Sequence, residues 1–248
     1  MREVEGPPSL SAVQTAIIGC EQCPRLRAYC RQVGQAKKPS FRNELYWARP
    51  VPGFGDPDAR VLILGLAPAA HGANRTGRVF TGDGVGASGD FLMAALKRAG
   101  FANISTSQRI DDGLALQDAY IAAAVRCAPP DNKPLPEEVE RCLPHLVNEV
   151  AQLPRLQVVI ALGKIAWDAW IKLSRKQGIE IPRPQPAFGH GAIVHLRIAA
   201  SPHPSPSVPQ HPGTLIGAYH PSRQNTNTGV VTPGMYDAVF RTVRQSLH

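Results

Sequence analysis

Four of the five cysteines are spaced for chemistry: Cys20 and Cys23 form a Cys-x-x-Cys pair, and Cys127 and Cys142 lie far downstream. A short chelating pair completed by two distant thiols suits a tetrathiolate metal centre, either structural zinc or an iron–sulfur cluster. A metal shared by both halves would clamp the N-terminal segment onto the body of the fold. Unpaired, buried structural thiols are the competing reading, because Cys-x-x-Cys alone is a common coincidence. Cys30 has no partner at ligand spacing and reads as a small core hydrophobe.

Three other segments are too polar or too irregular to be core. The run from Gly65 to Asp83 is rich in glycine and carries Asn74, Arg75, Arg78, Phe80 and Asp83. It is too long for a simple connection. It is neither a Walker loop, which needs Gly-Lys-Ser/Thr, nor a dinucleotide fingerprint. Freed backbone amides, two arginines, an aromatic ring and a carboxylate together make a cradle for a ligand, against the plainer reading of an ordered surface loop. Arg126-Cys127-Ala-Pro-Pro-Asp-Asn132 joins a thiol to a side-chain amide. Tyr219-His220-Pro-Ser-Arg-Gln-Asn places Ser222, Arg223, Gln224 and Asn225 behind a histidine held by proline, which suits a loop that touches nucleic acid. His-Pro-Ser recurs at His203, so only the longer context separates the two copies.

Each of these segments needs a strand to hold it. Residues 60–66 form a continuous apolar run ending in glycine, as in a strand buried on both faces of a parallel sheet. Helical spacing follows over 90–99, with Ser88 as cap and Gly100 as stop. A second strand is expected over 119–126. A helix opening at Pro136 has acidic residues in its first turn, as the helix dipole favours, and carries Cys142. A third strand spans 158–162, a helix runs from about 165 to 174, and a fourth strand lies near 192–199. The final helix covers about 233–246. The expected fold is a single α/β domain over 1–248: a central, mostly parallel four-stranded sheet flanked by helices, with ligands at the carboxyl ends of the strands. Residues 1–15 are expected to lack fixed structure, and 202–212 reads as a proline-rich loop insertion.

Composition narrows the class. The chain has 248 residues, with 27 Lys and Arg against 19 Asp and Glu for a net charge of +8, a modest hint of a polyanionic partner. The 24 prolines cluster at 181–186 and 202–212 and mark rigid loops. No signal peptide or membrane-length apolar run stands out, so a soluble cytoplasmic protein with reduced thiols is expected.

Taken together, these motifs resemble the iron–sulfur-containing B-type branch, family 5, of the uracil-DNA glycosylases. The resemblance rests on Gly65–Asp83, on Val125-Arg-Cys-Ala-Pro-Pro-x-Asn132, on His220-Pro-Ser-x-Gln-Asn-Thr and on the four cysteines, which together span nearly the whole chain. The 202–212 insertion has no counterpart in it. The resemblance implies a [4Fe–4S] cluster on Cys20, Cys23, Cys127 and Cys142, and a monomeric, nucleoid-associated enzyme of base excision repair acting on duplex DNA. Uracil and other deaminated bases, hypoxanthine and xanthine, would be released from a flipped-out nucleotide. Breaking the N-glycosidic bond puts positive charge on the sugar and negative charge on the base. His220 is the expected donor to the base. Asp83 is the carboxylate that orients water or stabilises the cation, Asn132 a hydrogen-bonding amide and Phe80 a stacking platform. Gly65, Ala67, Asn74, Arg75, Ser222, Arg223, Gln224 and Asn225 complete the expected substrate contacts, with Arg223 and Gln224 as probes of the gap left by the flipped base.

Two departures from related branches stand out. Residue 67 is alanine where many carry Asp or Asn, and the position for a uracil-reading amide, around Ala122, falls in an Ala-Ala-Ala run. A pocket with fewer polar groups discriminates less. The rival readings are a non-enzymatic DNA-binding protein with a structural metal site and a nucleotide-phosphate-binding α/β enzyme, the latter disfavoured by missing phosphate ligands.

Overall fold

The structure is a computed structural model and describes residues 8–82, 84–198 and 213–247. The N-terminal helices α1 (Leu10–Ile18) and α2 (Pro24–Ala36) precede strands β1 (Phe54–Gly55) and β2 (Val61–Gly65). A short helix α3 (Ala73–Thr76) and α4 (Ser88–Arg98) lead to β3 (Ala119–Ala123), α5 (Pro136–Val150), β4 (Val158–Leu162) and α6 (Lys164–Lys176). Then come β5 (Ile179–Glu180), β6 (Ile193–His195), β7 (Arg197–Ile198), β8 (Thr214–Ala218), α7 (Arg223–Asn227) and α8 (Pro233–Ser246).

The main sheet has six strands in the order β1-β3-β2-β4-β8-β6, with β5 and β7 pairing separately. Its middle four strands are mutually parallel, while β1 and β6 are antiparallel edges. The expected four-stranded sheet is therefore corrected to a six-stranded mixed one. The strand expected near 192–199 is an antiparallel edge at 193–195, and the fourth parallel strand is β8, outside the strands expected from the sequence. Gly217 disguises it: a Cβ there would lie 2.3 Å from Gly189 O.

Every residue of β2, β3, β4 and β8 is buried, which is why β2, β3 and β4 read as unbroken apolar runs. Val61 and Ile63 face a layer with Leu92, Leu96 and Phe240 from α4 and α8. Leu62 and Leu64 face Leu146, Trp167 and Trp170 from α5 and α6. Each such side chain contributes about 1.5–3 kcal/mol on burial. The two layers fix the register, because a one-residue slip would exchange them.

The N-terminal stretch expected to lack structure becomes helical at Leu10, capped by the Ser9 hydroxyl, and α1 packs against α5. Ser88 opens α4 inside the helix, and Ala87 takes the cap position. Two expectations, the role of Asp83 and the 202–212 insertion, fall outside the described residues. Among the described residues, no helix is long and apolar enough to cross a membrane.

Candidate active site

The parallel strands deliver their following loops to one end of the sheet, as such sheets do. Segments after β2, β3 and β8 enclose a cavity of about 340 Å3. Ala67, Phe80, Ala123 and Asn132 line it together with His220, Ser222 and Arg223.

Phe80 is held by its backbone. It has φ +53, and Gly65 and Gly89 leave room for it. A Cβ on Gly65 would stand 2.9 Å from Phe80 Cε2, and one on Gly89 would stand 2.2 Å from Phe80 O. The ring stacks on His220, with centroids 5.7 Å apart and planes inclined at 26°. Asn225 Nδ2 donates to His220 O at 2.8 Å, while Ser222 Oγ accepts from Asn225 N at 3.2 Å and caps α7. Tyr236 OH donates to Tyr219 O at 2.8 Å, so both flanks of the histidine are braced. Burial lowers the His220 pKa to about 4, leaving a neutral imidazole at physiological pH.

Asn132 follows Asp131, and both have positive φ, 56° and 54°. This left-handed step, one that Asn and Asp tolerate, brings Asn132 to the cavity rim. Arg223 Nη2 donates to Val85 O at 3.3 Å and so reaches across to the loop before α4. Gln224 is exposed beside it and does not line the cavity.

Asn74 and Arg75 do not line the cavity either; both are buried beneath the loop. Asn74 Nδ2 donates to Cys30 O and Ala70 O, each at 3.3 Å. Arg75 Nη2 donates to Gly82 O at 2.6 Å, its Nη1 pairs with Glu44, and its guanidinium covers the Phe41 ring. Arg78 is buried too, bonded to Thr81 Oγ1 at 2.8 Å and to both Asp112 oxygens at 2.8 Å. Burial opposes ionisation of Asp112, but Arg78 and three backbone N–H donors outweigh it and hold its pKa below the ordinary value. Both arginines of the expected cradle are thus anchors that shape the loop. Their partners lie up to 34 residues away, so no local pattern announces them.

Ala122 also shifts meaning. It packs among Leu62, Leu64 and the α5–α6 layer, whereas Ala123 faces the cavity. Within a strand, neighbouring side chains point to opposite faces.

The four spaced cysteines border a second, enclosed space between α2, α5 and the segment after β3. Cys23 caps α2, and Cys142 lies on α5 with its sulfur accepting from Arg126 N at 3.2 Å. Cys30 does not line this space; it is fully buried, 3.6 Å from Ala128 O. Burial raises Cys23 and lifts Cys142 to about 11. Among the described residues, no three His, Cys, Asp or Glu side chains close on a single ion. The thiols instead ring a common space that Arg27, Arg126, Arg141 and His145 share. Buried Arg126 and His145 nitrogens there lack hydrogen-bond partners. Soft donors with unsatisfied N–H groups around them fit an anionic thiolate–metal group.

Comparison with known proteins bears on the whole chain. Residues 52–244 match the sequence model of the uracil DNA glycosylase superfamily. A protein of Thermus thermophilus named type-5 uracil-DNA glycosylase is 46% identical over 224 residues, covering 90% of this chain and 91% of its own. Type-5 uracil-DNA glycosylases of Pyrobaculum aerophilum and Mycobacterium bovis are 43% and 42% identical over 228 and 241 residues, covering 91% and 97% of this chain and 88% and 82% of their own. With its loops gathered at the strand ends and this similarity along nearly its full length, the chain belongs to the uracil DNA glycosylase superfamily.

Proposed function

We propose that this chain is a monomeric, monofunctional glycosylase that hydrolyses the N-glycosidic bond of uracil in duplex DNA. Hypoxanthine and xanthine are proposed as further substrates. The observation that carries the reading is the Phe80–His220 pair inside a small cavity at the carboxyl ends of the strands. A base flipped out of the duplex would stack on Phe80 and leave its oxygen for His220. Negative charge grows on that oxygen as the bond breaks. A neutral imidazole N–H donates to it without first losing a proton, and a donor set in place before the reaction costs no reorganisation. Asn132 at the rim supplies an amide for the base or for water. Asp83 is proposed as the carboxylate that orients water or stabilises the sugar cation.

Cys20, Cys23, Cys127 and Cys142 are proposed to hold a [4Fe–4S] cluster. Base hydrolysis moves no electrons, so the bound cluster would serve as a cross-link between α2 and the segment after β3. A DNA-binding protein without activity would have no use for a base-sized cavity with a neutral histidine in it. The test is incubation with duplex DNA carrying one uracil, hypoxanthine or xanthine, followed by alkaline cleavage at abasic sites. No cleavage of any substrate by iron-loaded protein would remove the proposal.

A further inference from the structure

Arg126 follows β3, lines the space ringed by the cysteines and is 1% exposed. A guanidinium so deeply buried needs partners, since leaving its donors unmade is costly. Arg126 Nη2 lies 2.7 Å from Glu149 Oε2, but at angles that fall short of a hydrogen bond. Nε and Nη1 have no hydrogen-bond partner either, and neither does buried His145 Nε2. Arg126 and His145 line the space ringed by the four cysteines.

Arginine charge also lies against the ring. Arg27 sits close enough to act electrostatically on Cys127 and Arg141 on Cys23, and the backbone N–H of Arg126 donates to Cys142 Sγ at 3.2 Å. Glu149 sets the position of Arg126 and is itself held on the far side. Its Oε1 accepts from Gly53 N at 2.8 Å and from Tyr120 OH at 3.0 Å, and Gln14 Nε2 of α1 donates to that Tyr120 oxygen at 3.1 Å. Hydrogen bonds thus run from α1 to Glu149, and the Arg126–Glu149 ion pair carries the link on to the thiol-lined space.

We infer that Arg27, Arg126 and Arg141 form a cationic shell for the anionic group held by the four cysteines, with the unpartnered nitrogens of Arg126 and His145 serving as donors to its sulfur atoms. The inference rests on the reading of those thiols as ligands. Four thiolates leave either an iron–sulfur cluster or zinc with net negative charge. Outer donors and positive charge retain such a group and, for a cluster, favour its more negative reduced state. Arg126 is a positioning residue here and takes no part in base hydrolysis.

The test uses the metal-loaded full chain. Irons per chain, the rate of bleaching by a chelator and the midpoint potential are measured for wild type, Arg126→Met, Arg126→Met with Glu149→Gln, and Arg141→Gln. The double variant removes both buried charges and so guards against a fold failure caused by an orphaned Glu149. Arg141 is exposed, and its variant leaves the core untouched. Bleaching should accelerate by about tenfold or more in the Arg126 variants and by less in Arg141→Gln. Midpoint potentials should move to more negative values in all three. Iron-loaded variants that bleach at the wild-type rate and keep its potential would overturn the inference alone. Wild type that binds no metal would remove the ligand reading first, and this inference with it.

Discussion

The Phe80 ring lies over the His220 imidazole with centroids 5.7 Å apart and planes 26° from parallel, although 140 residues separate them in the chain. One is presented by the loop after β2 and the other by the loop after β8. The pair exists only because β4 alone separates those strands in the sheet.

His220→Ala should lower single-turnover excision of uracil by about 10²–10³-fold, the usual cost of losing one transition-state donor. DNA affinity should barely change. The pH behaviour follows from burial, which takes the pKa from 6.5 to about 4. As pH falls below 6.5 the unfolded chain gains a proton that the folded chain refuses. The stability contribution of neutral His220 is therefore complete above pH 6.5 and is lost progressively down to pH 4. Its total is on the order of 3 kcal/mol. Denaturant titrations of wild type and His220→Gln across this window should diverge, with wild type losing more on acidification.

Gly65→Ala tests the platform. The added methyl would stand 2.9 Å from Phe80 Cε2 and 3.2 Å from Cζ, so the ring must move. Overpacking of this kind costs about 1–3 kcal/mol. Excision should fall more than thermal stability does, because the displaced ring is the surface on which the base rests. A variant with wild-type excision would show that the ring position is immaterial.

The secondary structure was legible where its boundaries are chemical. The strand expected over 158–162 and the helix expected over about 233–246 coincide with Val158–Leu162, which ends at Gly163, and Pro233–Ser246, which opens on a proline. β8 was missed because Gly217 and the preceding prolines break its pattern. Phe80, Asn132 and His220 were legible as unusual residues behind strands. Arg75 and Arg78 were not, since an arginine in a glycine-rich loop looks the same whether it meets a ligand or a buried carboxylate. Three consecutive alanines gave no period by which to tell Ala123 from Ala122.

Arg78→Met should destabilise the fold by about 3–5 kcal/mol, the usual result of orphaning one member of a buried ion pair. The Asp112 pKa is depressed in the folded chain, so the pair contributes fully above the ordinary carboxylate range. That contribution is lost as pH falls through the lowered value. Calorimetry at neutral pH and again in acid should show the wild-type advantage shrinking. An equal difference at both pH values would remove the pair from the account.

Arg223→Ala should weaken binding to duplex DNA and lower the slope of log affinity against log salt by about one, as expected if its charge meets a phosphate. Gln224→Ala, beside it and uncharged, should leave that slope alone. Fluorescence anisotropy at several salt concentrations reads both. An unchanged slope for Arg223→Ala would leave this arginine with contacts inside the protein, that with Val85 O among them.

Base preference should answer to Ala67 and Ala123, two of the alanines that line the cavity, at positions where a polar group could read the base. A site polar group rejects a wrong base by being left unpaired against it, and alanine cannot do this. Ala67→Asn or Ala123→Asn should therefore raise the ratio of uracil to hypoxanthine excision. Ala122→Asn is the control: it would bury an amide in the α5–α6 layer, cost about 1–3 kcal/mol and leave the ratio unchanged. Single-turnover rates on matched uracil and hypoxanthine duplexes give the comparison. If the ratio moved with residue 122 and not with 67 or 123, the assignment of faces on β3 would be reversed. If no substitution moved it, base choice would lie in the rim loops and not on the alanine-lined wall.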